Sequence, residues 1–156
     1  MNQPYALVPL VFLVVFPLFW CGINLALSYL SGWRSLARHF RGRPAEPVAK
    51  VSLGSARMGS AIFPTSYSGI LNVTASREGV GLSLFPLFAV GAPALLIPWD
   101  AMGECRTWTL LGFPRFQFRV GGVQVTLVGR AARMMREQFV RLNPGGALLA
   151  AAPWER

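Results

Sequence analysis

The chain has 156 residues, 53% of them hydrophobic, with 15 Lys plus Arg against 6 Asp plus Glu for a formal charge of +9. That length holds one modest domain beside a membrane segment, and the charge implies anionic partners, either lipid headgroups or nucleic acid. Only two cysteines occur, Cys21 and Cys105, which excludes a disulfide-stapled scaffold and a cysteine metal site.

No Asp, Glu, Lys, Arg or His precedes Arg34, and Ala6 to Leu30 is almost wholly apolar. At ~1.5 Å per residue, a helix of about 25 residues reaches roughly 37 Å, beyond the ~30 Å hydrocarbon core of a bilayer. Residues 1–31 therefore read as a single transmembrane anchor. Pro17 has no N–H for the carbonyl of Leu13, which predicts a kink near mid-membrane. Asn24 is the one strongly polar side chain in the span, placed either against a partner helix or in hydrated interface. Tyr5 at one end and Tyr29 with Trp33 at the other suit the two headgroup zones.

Arg34, Arg38, His39, Arg41 and Arg43 follow at once. By the positive-inside rule the N-terminus lies outside and the C-terminal domain in the cytoplasm, at the inner membrane if the source is bacterial. A cleaved signal peptide is the competing reading, with Ala26 and Ser28 as a small-x-small site. The missing basic n-region, the long apolar run and the arginines beyond it oppose that.

Residues 32–47 read as a basic juxtamembrane segment and linker. Trp33, Leu36, Ala37 and Phe40 recur at helical spacing beside Arg34, Arg38 and Arg41, the pattern of a helix lying in the interface with its apolar side in lipid. Each well-placed arginine there adds on the order of 1 kcal/mol of attraction to anionic headgroups. Arg43 to Pro47, with two prolines, reads as a short stiff linker.

The domain occupies residues 48–143. Val48 to Ser66 is ambiguous, because Gly54, Gly59 and Pro64 interrupt a strand that starts near Lys50. From Gly69 the alternation sharpens: Leu71, Val73 and Ala75, then Arg77-Glu78-Gly79, then Val80, Leu82 and Leu84, a hairpin. Pro86 to Pro93 reads as a loop, Ala94 to Ile97 as a short buried strand, and Glu104 to Leu110 as a strand of untidy alternation. Phe116, Phe118 and Val120 lead through Gly121-Gly122 to Val123, Val125 and Leu127. A two-residue Gly-Gly turn predicts Phe118 opposite Val125, Phe116 opposite Leu127, and Arg119 beside Gln124. After Gly129, Ala131, Met135, Phe139 and Leu142 form one face of a helix that Asn143-Pro144-Gly145-Gly146 ends. Residues 144–156 are a tail.

The fold class that results is one N-terminal transmembrane helix, then a mainly-β domain: an antiparallel curled sheet or barrel of six or seven strands with a C-terminal amphipathic helix. That order resembles the pleckstrin-homology-like (PH-like) superfold with its GRAM-type members, and in particular small bacterial membrane-anchored PH-like proteins. The resemblance lies in Gly69 to Leu82 and in Leu95-Leu96-Ile97-Pro98-Trp99, and covers residues 48–143. Phosphoinositide-binding PH domains gather Lys and Arg after the first strand. Here only Lys50 and Arg57 stand there, so the resemblance implies a binding module without implying headgroup specificity.

No constellation for catalysis stands out. His39, the only histidine, is beside the membrane and has no nucleophile within reach. Asp100 and Glu104 read as turn carboxylates, Cys105 as a small structural residue, and neither a metal site nor a cofactor fingerprint is present. The expected function is non-catalytic: a cytosolic domain that binds the anionic membrane surface through Arg34, Arg38, Arg41, Arg43, Arg57, Arg115 and Arg119. The alternative is a protein-binding adaptor or accessory subunit using a sheet edge or the groove beside the helix. Nucleic acid is disfavoured as a partner, because Phe116 and Phe118 are expected to face inward and cannot stack on bases.

Overall fold

A computed structural model describes residues 7–60, 64–142 and 148–149. Helix α1 (Leu7–Leu30) runs unbroken through Pro17, and its first half is largely exposed, with Val8, Phe12, Leu13 and Leu18 all more than half exposed. By length and composition it qualifies to cross a membrane, a test that a signal sequence near an N-terminus also passes. Ser31 and Gly32 turn the chain into α2 (Trp33–Phe40).

The domain is built from β1 (Pro47–Gly59), β2 (Pro64–Ser76), β3 (Gly79–Leu84), β4 (Leu95–Pro98), β5 (Gly103–Leu110), β6 (Phe113–Val120) and β7 (Val123–Val128), followed by α3 (Arg130–Leu142). Its antiparallel sheet has the order β4-β3-β2-β1-β7-β6-β5, and a two-residue strand β8 (Leu148–Leu149) adds in parallel to β5. The anticipated architecture of apolar helix, curled antiparallel sheet and C-terminal helix is the one observed. Of the tail assigned to residues 144–156, all but Leu148 and Leu149 lies outside the described residues.

The strands follow from alternation. Leu71, Val73 and Ala75 are fully buried on β2, as are Val80 and Leu82 (1% exposed) on β3. The β6–β7 hairpin has the register its sequence predicts, with Phe118 opposite Val125, Phe116 opposite Leu127 and Arg119 opposite Gln124. Helix α3 closes the core by burying Ala131, Met135 and Phe139, the last ring lying 5.9 Å from Trp99 and 5.7 Å from Phe116.

Two local features depart from expectation. The ambiguous stretch before Ser66 is the thirteen-residue β1 and the start of β2, with register shifts on either side of Gly54 and a left-handed Leu53 at φ 55°. A bulge of this kind moves side chains out of strict alternation, which hides a strand from a period-two reading. At the β2–β3 turn, where the hairpin pattern alone discloses no tertiary contact, Gly79 meets a close approach: a Cβ there would lie 2.1 Å from the Ile97 carbonyl oxygen of β4.

Helix α2 corrects a third expectation. Its apolar side does not lie outward for lipid but faces the β domain, where Trp33 is fully buried and Leu36 is 3% exposed. The reason is that the same amphipathic pattern satisfies either an interface or a core, and here the Trp33 ring finds Tyr67 edge-on at 5.8 Å and gives its indole N–H to the Pro93 carbonyl at 2.8 Å. The linker is not free either. Arg41 forms a β-bridge with Leu95, and the Gly42 amide donates to the Ala94 carbonyl at 3.0 Å, so the chain covers part of the β4 edge.

Candidate functional site

The site begins with helical spacing. Arg34 and Arg38, four residues apart, share one face of α2, and Arg41 follows in extended backbone at the end of that helix. Together with Ala37 they form one wall of an open cleft of about 660 Å³, whose other wall is the Ala89–Pro93 part of the β3–β4 loop. The three guanidinium groups are exposed, and among the described residues the single ion pair is Arg106 with Glu104 at 3.6 Å, on another part of the surface. The cleft is thus positively charged with no internal counter-ion, which is the electrostatic requirement for a phosphate or another anion.

The seven arginines singled out from the sequence do not form one patch. Arg34, Arg38 and Arg41 converge as described. Arg43 belongs to a separate hollow with Lys50, Asn72 and Thr74. Arg57 and Arg115 meet on the outer sheet face, in a groove of about 300 Å³ shared with Trp108, Gln117 and Thr126, where the buried Nε of Arg115 has no hydrogen-bond partner among the described residues. Arg119 stands exposed at the end of β6, beside the Gly121-Gly122 turn.

What holds the cleft open is contact of α1 and α2 with the β3–β4 loop, a set of pairings that the sequence pattern did not disclose. Trp20 Nε1 donates to the Leu87 carbonyl at 3.2 Å, Ser28 Oγ to the Gly91 carbonyl at 2.7 Å, and Trp33 Nε1 to the Pro93 carbonyl. Gly91, at φ +72°, comes so close to α1 that a Cβ would be 2.4 Å from Leu25 Cδ2. At the turn, Tyr67 Oη donates to Ser31 Oγ at 2.8 Å. Burial raises the Tyr67 pKa, partly offset by that bond to Ser31. Asn24 is 7% exposed, and its amide donates to the Trp20 carbonyl of its own helix at 2.8 Å. The available signal was the run from Leu84 to Pro98, which contains no polar side chain at all.

The residues considered for chemistry lie apart from the cleft or outside reactive surroundings. His39 is exposed, with Nδ1 3.4 Å from the Ser35 carbonyl of its own helix. Cys105 is 3% exposed, and burial pushes its thiol up to about 11. No group of three or more metal-ligating side chains occurs among the described residues. Phe116 and Phe118 are fully buried. A scan against protein-family models finds no match for the chain, and a search of curated proteins finds none either.

Proposed function

We propose that this is a single-pass membrane protein, N-terminus outside, whose cytosolic PH-like domain binds the anionic membrane surface and catalyses nothing. The observation that carries the reading is the cleft of Arg34, Arg38 and Arg41, uncompensated by any acid among the described residues and placed where an apolar helix enters the domain. The strand order, with a helix closing the core after the seventh antiparallel strand, supports the PH-like part of the reading.

The test uses the full chain, stripped of lipid in detergent and offered an equimolar mixture of phosphatidylcholine and phosphatidylglycerol. Native mass spectrometry then reports which lipid stays bound. Phosphatidylglycerol is expected to dominate, and the triple change Arg34→Gln, Arg38→Gln, Arg41→Gln to abolish the preference. At on the order of 1 kcal/mol per arginine, the loss is roughly a hundredfold in relative affinity. An unchanged preference in the triple variant refutes the cleft as the site.

A protein partner is the second reading, favoured by the groove holding Arg57, Trp108 and Arg115 with its unpartnered Nε. Strand addition at an edge is less well supported, because β4 is bridged by Arg41 and β5 is paired with β8.

A further inference from the structure

We infer that the β3–β4 loop, residues 85–90, is a second membrane-inserted element that lies among lipid acyl chains against α1. The inference rests on α1 spanning a bilayer and does not depend on the arginine cleft.

Depth along α1 is the first ground. Leu87 is bonded to Trp20, ten residues before the end of the helix at Leu30. If the hydrocarbon ends at Leu30, Trp20 lies about 15 Å inside it. If the hydrocarbon instead starts at Leu7 and extends ~30 Å, it ends near residue 26 and Trp20 is still about 9 Å inside. Lifting Trp20 into water would leave Leu7 to Trp20, about 21 Å of helix, to cross a core of ~30 Å. It would also leave Ile23, Leu25, Leu27 and Leu30, each between 39% and 64% exposed, facing water.

The chemistry of the loop is the second ground. Phe85, Pro86, Leu87, Phe88, Ala89 and Val90 carry no polar side-chain atom, and Phe85 and Leu87 are 44% and 59% exposed. Irregular backbone at membrane depth has to find its hydrogen bonds within the protein. Here the Phe85 amide donates to Ile70, Pro86 has no N–H, and the amides of Phe88 and Ala89 close on the carbonyls of Phe85 and Pro86. The carbonyls of Leu87, Gly91 and Pro93 each accept from a side chain of α1 or α2, namely Trp20, Ser28 and Trp33. A loop destined for water needs no such donors. Beside it, Phe16, Pro17, Trp20 and Leu87 line a wholly apolar hollow of about 270 Å³, which suits an acyl chain.

The experiment places one nitroxide spin label at a time on the full chain, carrying Cys21→Ala and Cys105→Ala, in vesicles of phosphatidylcholine alone. Label sites are Leu87→Cys, with Phe85→Cys as a second loop position, Leu13→Cys as the helix reference and Glu78→Cys as the exposed-turn reference. Depth is read from the ratio of collision with oxygen to collision with a water-soluble nickel chelate. The expected result puts both loop labels in hydrocarbon, about 9–15 Å inside its edge, with the Glu78 label in water. Loop labels that behave like Glu78 while Leu13 reads as buried in lipid overturn the insertion and leave the span standing. A Leu13 label in water overturns the span and the insertion together.

Discussion

Replacing Trp33 with alanine separates two fates for α2, packing into the β core or lying on a surface. The side chain is fully buried, meets Tyr67 edge-on at 5.8 Å and donates to the Pro93 carbonyl at 2.8 Å. Truncating a buried Trp costs about 3–5 kcal/mol through lost transfer energy and the cavity left behind. That is a large part of the ~5–15 kcal/mol that holds a typical domain folded. Trp33→Phe keeps most of the ring but orphans the Pro93 carbonyl, and a lost partner of that kind costs about 1–3 kcal/mol. The assay is urea unfolding of the full chain in detergent micelles, followed by far-ultraviolet circular dichroism at the strand band. Alanine should lower the unfolding midpoint clearly, with phenylalanine between it and the parent. A midpoint shift equivalent to less than about 1 kcal/mol in the alanine variant would show that α2 is not part of the core.

Three further changes follow from the geometry. Gly79→Ala drives a methyl into the Ile97 carbonyl, 2.1 Å from the ideal Cβ position, so β3 and β4 must separate; the variant should lose several kcal/mol, on the order of a large core defect, seen as poor folding yield and fast amide exchange at Val80 and Leu82. Tyr67→Phe removes the hydroxyl that donates to Ser31 Oγ and should cost about 1 kcal/mol, read as a small fall in melting temperature and earlier proteolysis between α1 and the sheet. The Cys105 thiol keeps its proton to about 11 when folded, against 9.0 ordinarily, so the unfolded chain releases that proton first. Its contribution is intact below pH 9.0 and is lost as pH rises through about 11; Cys105→Ala should flatten this part of the pH profile, and maleimide at pH 7 should label Cys105 only on unfolding.

Where the fold was legible in the sequence, one local rule decided the matter. The β6–β7 hairpin has clean alternation and a Gly-Gly turn, and its register came out residue for residue. Helix α3 is a single apolar stripe with arginines outside it. β1 was unreadable because its bulge at Leu53 and Gly54 breaks the period that strands are recognised by. The arginines at 34, 38 and 41 were legible as a group, but their separation from Arg57 and Arg115 was not, since those two lie on strands whose positions depend on the whole sheet. The contacts of Trp20 with Leu87 and of Trp33 with Pro93 join residues 67 and 60 apart in sequence. No periodicity encodes such pairings. For the same reason an amphipathic octapeptide such as α2 cannot disclose whether lipid or protein receives its apolar side.

Only Ser31 and Gly32 separate the long apolar helix from α2, and both are gripped by the sheet, Ser31 through Tyr67 and Gly32 against Val123. A domain on a loose tether would swivel and forget how its helix is oriented. Mounted in this way, it works as a crank. Turning the helix about its axis by one residue position, about 100°, swings the sheet and its arginine cleft through the same arc. A partner packed against the exposed half of the helix would therefore set the compass bearing of the domain, and so the direction in which the cleft faces.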